Sequence, residues 1–248
     1  MRLVNGSGSE KTGACWMSAL HWYTRKGKSW SDQPACVSPV IRDLCIKLND
    51  TLPDGEREEV IGPHIFAPVG TNTGEADEEK RRALCADRAL RVFAPYWLRK
   101  TKVPKLVEHA ERLEAMEPLT TRGAAKKAVA ILDKAHKDAS AYASAYAYAS
   151  AYASAYASAY ASAYAYASAS AYAYAYDYDY DYDYDPASAY AYAYASASAY
   201  ASAYASMPSE DKEWFKREII RLILDLCAVG RKDVEETKTR GEVLAMLS

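Results

Sequence analysis

The chain has 248 residues, with 31 Lys and Arg against 33 Asp and Glu, and a net charge of −2 gives no electrostatic case for nucleic acid or an anionic membrane. Its five cysteines (Cys15, Cys36, Cys45, Cys85 and Cys227) are odd in number and lack a CxxC pair, which argues against a secreted disulfide scaffold. The start RLVNGSGSEKTG has no apolar core and no run approaches 18 apolar residues, so the expectation is a cytoplasmic protein without a membrane span.

Cys15, Trp16, Ala19, Leu20 and Tyr23 recur near 3.6 spacing and predict a helix over Thr12–Thr24. A polar loop, RKGKSWSDQPAC, follows. Ser38 and Pro39 read as an N-cap and a first-turn proline, and Val40, Ile41, Leu44, Cys45 and Leu48 mark one helix face ending around Asn49–Leu52. Asp54 is expected to cap a short helix through Ile61, stopped by Gly62 and Pro63. A helix over Asp77–Ala94 then starts with the solvated turn ADEEKRR, turns Ala86, Ala89, Leu90 and Phe93 inward, and is bent or ended by Pro95. Pro104 opens another helix, with Leu106, Val107, Ala110, Leu113 and Met116. Thr121 starts a further one, with Val129, Ile131, Leu132 and Ala135. No strand pattern occurs, so residues 1–138 read as an all-α domain.

Residues 139–206 form one dipeptide array: odd positions are Ala or Asp, and even positions are Tyr or Ser apart from Pro186. The array holds 20 of the 22 tyrosines. Strict alternation is a strand pattern, whereas Ala is the best helix former and the preceding helix supplies a nucleus. Helix is favoured on that last ground. The run DYDYDYDYDP at Asp177–Pro186 crowds five carboxylates before a proline, which predicts a turn between two arms, Ala139–Tyr176 and Ala187–Ser206. Slippage of a six-base unit would also generate such an array without selection. Residues 207–248 read as a tail whose helix, Ser209–Val229, lines Phe215, Ile219, Leu222, Ile223 and Leu226 along one face before Gly230. That face is expected to dock on the N-terminal domain.

The sharpest chemical motif is GACWMSAL at Gly13–Leu20. It resembles the nucleophile segment of papain-type cysteine peptidases, where a Cys-Trp pair opens a helix and the thiol is activated there. The likeness covers eight residues and implies Cys15 as the nucleophile. Ser7, Gly8, Ser9 and Glu10 stand where such enzymes carry an oxyanion glutamine, and His136 borders a repeat without Asn. Cys15, His21, Cys36 and Cys45 could supply four N/S zinc ligands, at spacings that match no standard finger. His64, His109 and His136 read as isolated, solvated or lightly packed side chains. Thr24–Lys28 (TRKGK), beside Trp22, Tyr23 and Trp30, offers cations and stacking faces to a nucleic-acid backbone, or simply a basic helix end. No cofactor motif is present.

The words GACWMSAL, SWSDQPACVSPVIRDLCIKLND and IGPHIFAPVGT, followed by an Ala- and Tyr-rich segment and a short amphipathic tail, resemble a family of uncharacterised bacterial and phage-associated proteins. The resemblance spans the chain, implies a helical middle segment and carries no activity. The expected function is therefore non-enzymatic: an all-α structural or interaction protein whose repeat arm self-associates or binds a protein partner. The alternatives are a hydrolase using Cys15 and a nucleic-acid accessory protein of a mobile element.

Overall fold

A computed structural model describes residues 2–5, 11–120, 122–146, 204 and 207–231. Among these residues the protein is all-α, and the only extended pairing is an isolated parallel bridge between Leu3 and Ala14. None of the described helices is long and apolar enough to cross a membrane. The chain divides into two compact units, one formed by Met1–Arg81 with Glu210–Ser248 and the other by Arg82–Ser209.

In the first unit, α1 spans Trp16–Thr24 and begins later than the periodicity predicts. The preceding residues are held extended: Val4 N–H donates to Ala14 O at 3.1 Å and Ala14 N–H to Arg2 O at 3.0 Å. Gly13 has φ +90°, and a Cβ there would fall 2.5 Å from the Arg2 carbonyl oxygen, so only glycine permits this crossing. Helix α2 spans Pro39–Thr51, with Ser38 Oγ accepting the Ile41 N–H at 3.3 Å and Ile41, Leu44, Cys45 and Leu48 buried. Helix α3, Glu56–Ile61, opens on Gly55 at φ +95° without a side-chain cap. Asp54 does not cap it, because its carboxylate is taken by Arg57 and Arg2. One 3-10 turn, Gly62–His64, follows.

Helix α4 spans Glu75–Arg88. Its first turns are solvated only in part: Ala76 and Lys80 are exposed, but Glu78 is 4% and Arg81 0% exposed. Glu78 Oε2 accepts from Ser38 Oγ at 3.0 Å. Arg81 Nε donates to Leu226 O at 3.2 Å, and its Nη2 to Val229 O at 2.7 Å and Thr73 Oγ1 at 3.0 Å. These carbonyls lie at the end of the helix Ser209–Ala228, which buries Phe215, Ile219, Leu222, Ile223 and Leu226. Burial of each such side chain contributes roughly 1.5–3 kcal/mol. Gly230 follows at φ +75°, where any Cβ would overlap the Asp77 carboxylate. Arg231 Nη2 closes the end by donating to Ala67 O and Val69 O, both at 2.6 Å.

In the second unit, α4 passes into a π-turn, Ala89–Phe93, and then into α5, Ala94–Lys100. Regular α-helix therefore stops at Arg88, short of the expected Ala94. The Ala94 N–H bonds to Ala89 O, five residues back, which locally shifts the register ahead of Pro95. Proline lacks the amide that an α-turn requires and its ring crowds the carbonyl four residues back, so the shift lets the helical path continue. Helix α6 spans Pro104–Glu114 and α7 spans Arg122–Tyr146. Leu90, Leu98, Leu106, Leu113 and Leu132 pack with Ala94, Ala110, Ala128 and Ala135 as the core. Helix α7 runs straight into the array, so residues 139–146 are helical, and Ala139 packs against this core. Near the array's other end, Tyr204 and Met207 are buried. The expected turn at Asp177–Pro186 lies outside the described residues.

Candidate functional site

Cys15 is the N-cap of α1, with φ −66° and ψ 163°. Its Sγ accepts the Ser18 N–H at 3.4 Å and donates to Ser18 Oγ at 3.3 Å, and the residue is 4% exposed. The sulfur is enclosed and engaged in capping the helix. Trp16 is fixed beside it, its N–H on Asn49 Oδ1 at 3.2 Å and its Nε1 on Ile65 O at 2.9 Å. Asn49 Nδ2 in turn donates to Val4 O at 3.0 Å. The motif's tryptophan thus serves the core, and Asn49 ties three chain segments together.

Among the described residues, no three His, Cys, Asp or Glu side chains converge as a metal set, so Cys15, His21, Cys36 and Cys45 are not brought together. His21 Nε2 meets Ser29 Oγ at 3.0 Å. Cys36 is half-buried in the loop before α2, where its carbonyl accepts from the Asn72 N–H at 3.1 Å. Burial pushes the Cys45 thiol well above its ordinary range, and the neighbouring Cys227 sulfur adds to the effect. Burial likewise raises Cys227, to about 11. Both are protonated at neutral pH. His64 is partly buried, which lowers its pKa.

The turn after α1 is better organised than a frayed basic helix end. Gly27 N–H donates to Trp22 O at 2.9 Å and Lys26 N–H to Tyr23 O at 3.1 Å, the two bonds of a Schellman closure. Lys26 occupies its left-handed position, at φ 52°, where glycine is usual. Gly27 lies on the Trp22 ring, with a Cβ position only 3.2 Å from the indole. Trp22 and Trp30 are stacked, their centroids 5.5 Å apart at 27°. Arg25, Lys26 and Lys28 are exposed on this turn and form no ion pair among the described residues.

His109 corrects the expectation of a solvated or lightly packed imidazole, being 6% exposed on α6. Its Nε2 donates to Asp138 Oδ2 on α7 at 2.8 Å, and Lys105 Nζ lies 2.7 Å from Asp138 Oδ1. Nδ1 is buried without a partner among the described residues. The hydrogen bond from His109, then that from Lys105, hold the Asp138 carboxyl below its ordinary range. One signal was present in the sequence: Lys105 and His109 are four apart on one helix, so they share a face. The acid 29 residues away has no local mark.

Comparison of the chain with models of protein families, with curated proteins and with solved structures returns no match.

Proposed function

We propose that the protein is a non-enzymatic interaction protein, a helical scaffold carrying the repeat as an arm for self-association or for binding a protein partner. The observation that supports this most directly is how the array is held. Helix α7 carries residues 139–146 without a break from packed sequence, and Tyr204 near the other end is 2% exposed. The array concentrates 20 tyrosines between these two ends, and tyrosine offers large contact area at low rotamer cost. We place the protein in the cytoplasm, in keeping with five free thiols.

The test replaces every tyrosine within residues 147–203 by serine in the full chain, preserving length. Sedimentation and partner capture should both fall to background while the melting temperature is kept. Unchanged association and capture would refute the reading.

A second reading, a Cys15-dependent hydrolase, is favoured by the Ser18 amide on Sγ. An activated thiolate would react with iodoacetamide at pH 6 ahead of the other four cysteines. We expect the half-buried Cys36 to react first instead.

A further inference from the structure

The turn between α1 and α2 holds three cations beside a tryptophan stack, and the chain itself contains a segment of matching chemistry. Between Thr24 and Gln33 the only acidic side chain is Asp32, against Arg25, Lys26 and Lys28. The Schellman closure and the His21–Ser29 contact fix the turn's shape before any partner arrives. Lys26 holds the left-handed position of that closure, which a non-glycine residue rarely adopts. Beside the cations, the half-buried Trp30 stacks on Trp22 and keeps part of its surface in solvent.

The segment Asp177–Asp185 alternates five aspartates with four tyrosines. It is the only acidic stretch of the array, and its composition pairs carboxylates for the three cations with rings for the indoles. We propose that the Trp22–Trp30 turn docks the Asp177–Asp185 run of a second copy of the chain. This rests on the self-association reading above and names its surface. A pair of copies related by a two-fold axis would make the contact twice, which strengthens individually weak surface ion pairs. Single-stranded nucleic acid fits less well: three cations would give a salt slope of roughly 2, and the chain is net negative.

The experiment uses full-length protein with two variants. One is Arg25→Gln/Lys26→Asn/Lys28→Gln, where Asn tolerates the left-handed backbone. The other replaces all five aspartates of the run by asparagine. Each alone should weaken self-association on the order of 10-fold at 50 mM salt, and raising salt to 500 mM should weaken the wild type comparably. Mixing the two variants should restore association in part, because one intact turn then meets one intact run, making the contact once instead of twice. Circular dichroism checks that both fold. Wild-type association unaffected by either variant would overturn the docking surface while leaving the repeat-arm reading intact. A wild type that stays monomeric would overturn the docking proposal and the self-association reading together. Weakening without restoration on mixing would also overturn docking between copies. Binding of a single-stranded oligonucleotide that the turn variant abolishes, with self-association unchanged, would reassign the surface to nucleic acid.

Discussion

The two units bury different things. The second is lined by leucines and alanines from consecutive helices, with His109 and Asp138 as a polar pair at one side. The first encloses Arg81, Glu78, Asn49, Arg57 and Ser38, each bonded to backbone or to another polar side chain. The difference follows from how each is assembled. Neighbouring helices joined by short loops need only apolar complementarity, since connectivity already restricts their register. A helix returning from beyond residue 208 can slide along an apolar surface, and directional bonds from Arg81 to its terminal carbonyls, with those from Arg231 just past its end to Ala67 O and Val69 O, remove that freedom.

The comparison breaks most sharply at Arg81. Arg81→Met leaves Glu78 buried beside an apolar side chain and uncaps the Ser209–Ala228 helix, so urea titration should register a loss of about 3–5 kcal/mol. Adding Glu78→Gln should recover part of it. If Arg81→Met alone is neutral, the polar interior of the first unit is not what holds the returning helix. In the second unit, Leu113→Ala should cost about 2–5 kcal/mol through cavity formation, with no partner substitution able to recover it.

The polar pair of the second unit is expected to show itself in pH. Because the folded carboxyl of Asp138 is depressed, its contribution is complete above the unfolded value near 3.9 and is lost as pH falls through the lower folded value. Between pH 5 and pH 2, the wild-type melting temperature should therefore fall further than that of Asp138→Asn. Parallel curves would show that the pair contributes no linkage. The smallest effect is predicted at Lys26, where Lys26→Gly should relieve the left-handed strain and stabilise by up to about 1 kcal/mol in the same titration.

Local rules reached far along this chain. Ser38 with Pro39, Pro104, and the 3.6-residue spacing of Phe215, Ile219, Leu222 and Leu226 each mark their element, because capping and amphipathicity act within one or two turns. The unbroken passage of α7 into the array was legible for the same reason: nothing between Lys137 and Tyr146 stops a helix already nucleated. What the tertiary structure alone decided are the events that depend on a distant partner. The bridge to Leu3 delays α1, and Arg2, together with Arg57, takes Asp54 from its helix. Glu78 and Arg81 look like a solvated helix start, yet Glu78 is bonded by Ser38, 40 residues away, and Arg81 by carbonyls 145 and 148 residues away. His109 looks isolated until α7 brings Asp138 to it. A charge reads as solvated from its neighbours in sequence, but its burial is set by whichever segment folds over it, and no local pattern encodes that segment's return.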